Sequence, residues 1–145
     1  MGQTKRQRWD HRRLRGMGPL AAAMGIWMAV ALGGSPAWAG IAVARSAFCR
    51  AVEAREPVGE ATVFPADVGE VTFFTQIVGA GGADQVLHVW IYDGREMAIV
   101  PLDVEGPSWR TWSTKRILPE WKGDWIVEVR TVDGEVVHEA RMRIE

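Results

Sequence analysis

The sequence predicts an all-β fold: an antiparallel immunoglobulin-like β-sandwich of about seven strands, preceded by an N-terminal signal peptide. Three observations carry that expectation. Short segments rich in Val, Ile, Phe, Trp and Thr recur from Val43 to Ile144, and such residues suit a pleated, half-buried surface. Turn signals separate them at fairly even spacing. No long stretch shows helical periodicity with a cap at each end. Residues 40–145 are also the right size for one such sandwich.

The strands follow in order. The first covers roughly Val43 to Glu53, ahead of Arg55-Glu56-Pro57, although its composition also tolerates a helix. The second runs from Glu70 to Val78 and ends at Gly79-Ala80-Gly81-Gly82. The third is Val86 to Tyr92, closed by Asp93-Gly94, a tight-hairpin signal. The fourth is Glu96 to Val104, where Pro101 points to an edge or a bulge. The fifth is Trp109 to Lys115. The sixth, Asp124 to Val132, alternates Trp125, Val127 and Val129 with Ile126, Glu128 and Arg130. Asp133-Gly134 then turns the chain into the last strand, Glu135 to Ile144.

Residues 1–39 read as a separate unit. Lys5, Arg6, Arg8, Arg12, Arg13 and Arg15 stand against a single acid, Asp10. An apolar run from Met17 to Leu32 follows, then Gly33-Gly34-Ser35-Pro36 and the small-residue pattern Ala37-Trp38-Ala39. Basic, apolar and small-residue parts in that order are the layout of a secretory signal peptide, with cleavage expected after Ala39. The apolar run is shorter than the ~20 residues needed to span a bilayer. The expected location is therefore periplasmic or secreted, with no membrane span after cleavage. An inner-membrane anchor through an uncleaved N-terminal segment is the alternative. Arg12-Arg13 is followed by Leu14-Arg15-Gly16, a poor match to twin-arginine export.

Charge and cysteine content exclude whole classes of function. Of 17 basic and 18 acidic residues, 6 and 1 precede Gly40, so residues 40–145 carry 11 and 17, a net of −6. A domain of that sign has no broad basic footprint, so nucleic acid is not an expected partner. The single Cys rules out an internal disulfide and a four-cysteine zinc site. The apolar neighbours of Cys49 favour burial.

A family resemblance rests on several stretches in a fixed order. They are Phe48-Cys49-Arg50-Ala51-Val52 with Arg55-Glu56-Pro57, Val71-Thr72-Phe73-Phe74-Thr75, and His88-Val89-Trp90 with Tyr92 and Gly94. Trp109-Arg110-Thr111-Trp112-Ser113-Thr114-Lys115, Gly123-Asp124-Trp125 and Asp133-Gly134 complete the series. It resembles an uncharacterised bacterial family, number 2914 among the domains of unknown function, over about Phe48 to Ile144. The resemblance implies a small β-rich module in exported or membrane-associated proteins. It carries over no reaction, cofactor or ligand.

Chemical motifs fail one after another, and no catalytic residue, metal ligand or cofactor is expected. His138-Glu139-Ala140-Arg141-Met142 begins like a zinc-protease motif, but its fifth residue is Met and the segment reads as a strand. Gly79-Ala80-Gly81-Gly82 opens like a phosphate-binding loop without the later glycine or a helix. Ser46, Ser108 and Ser113 lack a nucleophile-elbow setting. A Cys49 dyad with His88 or His138 would need the fold to join them.

One constellation is left as a binding site: His88, Trp90, Tyr92, Arg110 and Trp112. If Leu87, Val89 and Ile91 face the core, His88, Trp90 and Tyr92 lie on the opposite sheet face. With Arg110 and Trp112 they would make an aromatic–arginine patch of the kind enriched at binding hot spots. The structural alternative turns Val86, His88, Trp90 and Tyr92 inward, since a Trp on the third strand of such a sandwich is often central. Trp121 and Trp125 are expected in the core or at its edge. The functional expectation is an exported, non-enzymatic interaction module of the bacterial cell envelope that docks an envelope protein or polymer through one sheet face or its loops. The alternative is a carbohydrate-binding module for peptidoglycan or exported polysaccharide.

Overall fold

The computed structural model describes residues 40–145. The signal peptide and the uncleaved anchor concern residues 1–39 and lie outside the described residues. Among the described residues the chain is all-β, with no helix. The strands are β1 (Ala42–Cys49), β2 (Ala51–Glu53), β3 (Glu56–Val58), β4 (Val63–Phe64) and β5 (Glu70–Val78). They continue with β6 (Asp84–Tyr92), β7 (Arg95–Val104), β8 (Ser108–Arg116), β9 (Gly123–Thr131) and β10 (Val136–Ile144).

The seven long strands fall where the β-rich segments and their turns place them. The first is shorter than expected. It breaks at Arg50, whose N–H donates to the Val58 carbonyl at 3.0 Å. That bond turns the chain into a small β2–β3 hairpin. β3 contains Pro57 and β4 has two residues, so neither leaves a period-2 pattern to read.

Two large sheets form, in the orders β1-β5-β8 and β4-β10-β9-β6-β7. All their pairings are antiparallel except the parallel contact of β4 with β10. The sheets face one another. Phe48 and Phe73 of the smaller sheet meet the Trp90 ring edge-on, with centroids 6.2 and 6.4 Å apart. Trp90 in turn meets Trp125 edge-on at 6.5 Å. All four side chains are buried. The result is a sandwich-like fold whose core is carried by aromatic packing.

Turn chemistry sets the register. Asp93 and Gly94 both take positive φ, 50° and 71°, as a two-residue hairpin of matching twist requires. The β9–β10 connection is different. Gly134 N–H donates to the Thr131 carbonyl, and Thr131 N–H donates to the Glu135 carbonyl. Gly134 sits at φ 90°, so this is a turn closed by a glycine bulge. Pro101 lies on β7, the outermost strand of the large sheet, where a missing N–H removes no ladder bond.

Candidate functional site

Where the third predicted strand turns its faces decides the fate of the predicted patch. On β6 the alternate residues Val86, His88 and Trp90 point between the sheets, and all three are fully buried. Tyr92 is half-buried, stacked on Trp125 at 4.8 Å. The patch of His88, Trp90, Tyr92, Arg110 and Trp112 therefore does not assemble as one surface. The reason is the partner sheet. Across the gap Phe48 and Phe73 of the smaller sheet offer ring edges and faces for Trp90 to pack on, whereas Leu87, Val89 and Ile91 take the other face of the strand, with Val89 fully covered there. The inward reading is the one observed, and Trp125 and half-buried Trp121 complete that end of the core.

His88 is the centre of a closed hydrogen-bond chain across the sandwich. Trp90 Nε1–H donates to Ser113 Oγ at 3.0 Å. Ser113 Oγ lies 2.8 Å from His88 Nδ1, and His88 Nε2 lies 3.1 Å from Thr75 Oγ1. Thr75 donates its only proton to the Thr111 carbonyl at 3.2 Å. Thr75 must therefore accept from His88, which puts the imidazole proton on Nε2. Nδ1 is then an acceptor, and Ser113 O–H donates to it. Every proton has one destination, and among the described residues no buried side-chain polar atom is left unpaired.

A serine 2.8 Å from a histidine invites comparison with a nucleophile and its base. The environment argues against it. Burial pushes the His88 pKa down to about 3, so the imidazole is a poor proton acceptor, and both residues are sealed from solvent. A second such pair, Ser46 Oγ with His138 Nε2 at 2.8 Å, joins β1 of one sheet to β10 of the other and is partly buried. Partial burial lowers the His138 pKa as well. Cys49 is fully buried. Burial raises its pKa, and its thiol donates weakly to the Thr72 carbonyl at 3.6 Å. A thiol so placed is inert. It faces away from His88 and His138, so the Cys49 dyad does not form.

Arg110 and Trp112 lie elsewhere, together, on the outer face of the smaller sheet. β8 pairs with β5 so that Arg110 is opposite Gln76, Trp112 opposite Phe74 and Thr114 opposite Thr72. The β2–β3 hairpin folds over this face. Glu56 at the start of β3 pairs with Arg110 and, at 3.0 Å, with Arg45. Arg45 also reaches Glu60 at 2.6 Å. Arg55 packs over the Trp109 ring at 4.9 Å and donates to the Arg110 carbonyl. Phe74 beneath is fully buried, yet Trp112 remains 38% exposed. The turn that presents Arg55 and Glu56 has Ala54 at φ 49° and Arg55 at φ 63°. Glycine or asparagine would be at ease there; Ala and Arg are strained by about 1–2 kcal/mol each. Contacts with Trp109, Arg45 and Arg110 hold the strained form.

The rest of the surface offers less. The outer face of the large sheet carries Leu87, Ile91, Ile126 and exposed Ile99 beside the ion pairs of Arg130 with Glu96 and Glu128. A cleft by the β9–β10 hairpin is lined by Ile41, Asp84, Val132, Asp133, Glu135 and Val136. Among the described residues no three His, Cys, Asp or Glu converge as metal ligands would. The aromatic faces at the other end are already occupied, Tyr92 by Trp125 and Trp121 by the Lys115 amine at 5.0 Å. Among the described residues no helix is long and apolar enough to cross a membrane.

Comparison with known proteins bears out the family resemblance over part of its expected span. Residues 83–144, the segment from β6 to β10, match the family described as "Protein of unknown function (DUF2914)". The stretch from Phe48 to Gly82 lies outside that match. A search of curated proteins found no match.

Proposed function

We propose, from that family match and the geometry above, that the chain is an exported, non-enzymatic interaction module of the bacterial cell envelope. Its docking surface is the outer face and free edge of β8. One observation carries the reading: Arg110 and Trp112 stand side by side on a rigid strand, and Trp112 stays exposed while the other large rings around it are covered. Trp and Arg dominate binding hot spots because they combine contact area with hydrogen-bonding capacity. The reactive groups have the opposite disposition. Ser113, His88 and Cys49 are buried and committed to internal bonds. Export rests on the three-part layout of residues 1–39.

We also read the fold as immunoglobulin-like. The support is strand order. Setting aside the short strands, β1, β5 and β8 make one sheet and β10, β9, β6 and β7 the other. Such a Greek-key division between two facing sheets is what that architecture requires. Packed rings substitute for the missing disulfide.

The test is crosslinking in living cells, followed by recovery of the chain and identification of what it holds. A protein partner should be captured by the wild type and lost when Arg110→Ala and Trp112→Ala are combined. Both side chains are more than a third exposed, so the double variant should keep its fold. A partner retained by that variant, or no partner at all, would overturn the reading.

A further inference from the structure

The geometry points to the free edge of β8 as a strand-addition site for an extended, carboxylate-bearing segment of a partner protein. The inference rests on the interaction-module reading and specifies its chemistry.

Hydrogen-bond phase fixes which backbone groups are on offer. Ile117 N–H donates to the Gly69 carbonyl at 2.9 Å, and Gly79 N–H donates to the Pro107 carbonyl at 3.2 Å. These bonds flank the β5–β8 ladder at both ends. In an antiparallel pair, bonded and non-bonded positions alternate. The odd-numbered residues of β8 therefore bond to β5. The N–H and C=O groups of Arg110, Trp112 and Thr114 point the other way, to an edge where, among the described residues, no strand pairs. The 2.8 Å contact between Thr72 and Thr114 hydroxyls fits the closer, non-bonded positions.

Other edges are guarded. β7 carries Pro101 and a register shift opposite Trp90/Ile91. β1 has a register shift between Val43 and Arg45 and is tied to β10 by Ser46 and His138. β4 has two residues. Bulges, prolines, short length and charged side chains are the usual protections of an edge. β8 has no bulge, proline or shortening; its only guard is charge, the Arg55 and Lys115 side chains that lie on the Arg110 and Arg116 carbonyls. Its nine residues pair with β5 without interruption.

Charge names the occupant. β8 holds Arg110, Lys115 and Arg116 and no acid, within residues 40–145 that are net negative. Arg55, at one end, has no carboxylate partner among the described residues. Glu56 already shows how a carboxylate sits against Arg110 and Arg45. An added strand would gain main-chain bonds at Arg110, Trp112 and Thr114, while its alternate side chains meet Trp112 and the cations. Arg55 now caps the Arg110 carbonyl and Lys115 the Arg116 carbonyl; both side chains would swing onto the incoming carboxylates.

The probe is a capped nine-residue peptide alternating Glu and Val, added to the protein purified from cells that export it. Amide hydrogen exchange should slow at least tenfold at Arg110, Trp112 and Thr114 and stay unchanged on β7. A Lys-for-Glu peptide should bind at least tenfold more weakly. Thr114→Pro should abolish protection, because a proline there removes an edge donor and no ladder bond. Should that variant fold poorly, Arg55→Ala gives a second reading, with weaker binding expected. Three outcomes would overturn the inference. They are no protection up to about 1 mM peptide, equal binding of the Lys peptide, or the same amides protected by self-association without peptide. A photocrosslinker at Ile99, on the opposite sheet, separates the two levels. A partner captured there but not at Thr114 sinks strand addition and the β8 surface but leaves an interaction module that docks elsewhere. Capture at neither position sinks the interaction module too.

Discussion

The centre of the sandwich and the outer face of its smaller sheet use similar residues to opposite ends. In the centre, Trp90 and Ser113 join His88 and Thr75 in one sealed hydrogen-bond chain. On the outer face, Trp112 and Arg110 lie against a strained hairpin and keep contact with water. What separates them is closure. A buried polar group must be fully paired, because an orphan costs about 1–3 kcal/mol. Groups at the surface can exchange partners at little cost. The first arrangement specifies how two sheets stack. The second is free to recognise something else.

The largest expected effect breaks the centre. Trp90→Ala removes a fully buried ring and the N–H that Ser113 accepts. It should cost about 3–5 kcal/mol, as for other large-to-small core changes. Trp112→Ala, at a ring 38% exposed, should cost less, about 1–2 kcal/mol. Urea unfolding of the two variants measures the contrast directly. Equal losses would mean that the centre and the face are not the different environments described above.

Acid should sharpen the same contrast by about half as much. The unfolded chain protonates His88 near the ordinary 6.5, whereas the fold resists protonation down to about 3. Stability is therefore intact above pH 6.5 and is lost as pH falls from 6.5 toward 3. Between pH 7 and pH 5 the loss from this one residue is about 2 kcal/mol. The lowered pKa of His138 acts in the same direction. Unfolding midpoints at the two pH values should diverge in the wild type and converge in large part in His88→Leu. Nitrogen NMR at pH 7 should find the His88 proton on Nε2. A proton on Nδ1 would reverse the hydrogen-bond chain.

Much of the fold was legible because strands and turns leave local marks. Asp93-Gly94 and the alternation at Trp125-Ile126-Val127 each encode their geometry in a few neighbouring residues. The site was legible only in part. Arg110 and Trp112 were picked out by residue type, and they do share a face. The inward turn of His88 and Trp90 was not decided by β6 alone. Both faces of that strand are apolar enough to be buried, and the choice depends on Phe48 and Phe73, which are remote in sequence. The strained turn at Ala54-Arg55 carries no glycine or asparagine, so nothing marked it as a hairpin. Glu56 and Arg45 became partners only through that turn.

The smallest expected effect tests whether the outer face holds its strain for a purpose. Ala54→Gly relieves a side chain at φ 49°, where an L-residue is destabilised by about 1–2 kcal/mol. Glycine's greater freedom in the unfolded chain returns part of that gain. The variant should be more stable than the wild type by about 0.5–1 kcal/mol. Ala54 itself makes none of the contacts described for Arg55 and Glu56, so the fold around them should not move. A partner that merely rests on this face should bind the variant unchanged. A partner that must displace Arg55 from the Arg110 carbonyl gains from the strain, and should bind the relaxed hairpin more weakly. Peptide titration of wild type and Ala54→Gly, with urea unfolding of both, tells the two apart. If the variant is less stable than the wild type, the hairpin is not strained in the way its φ angles indicate.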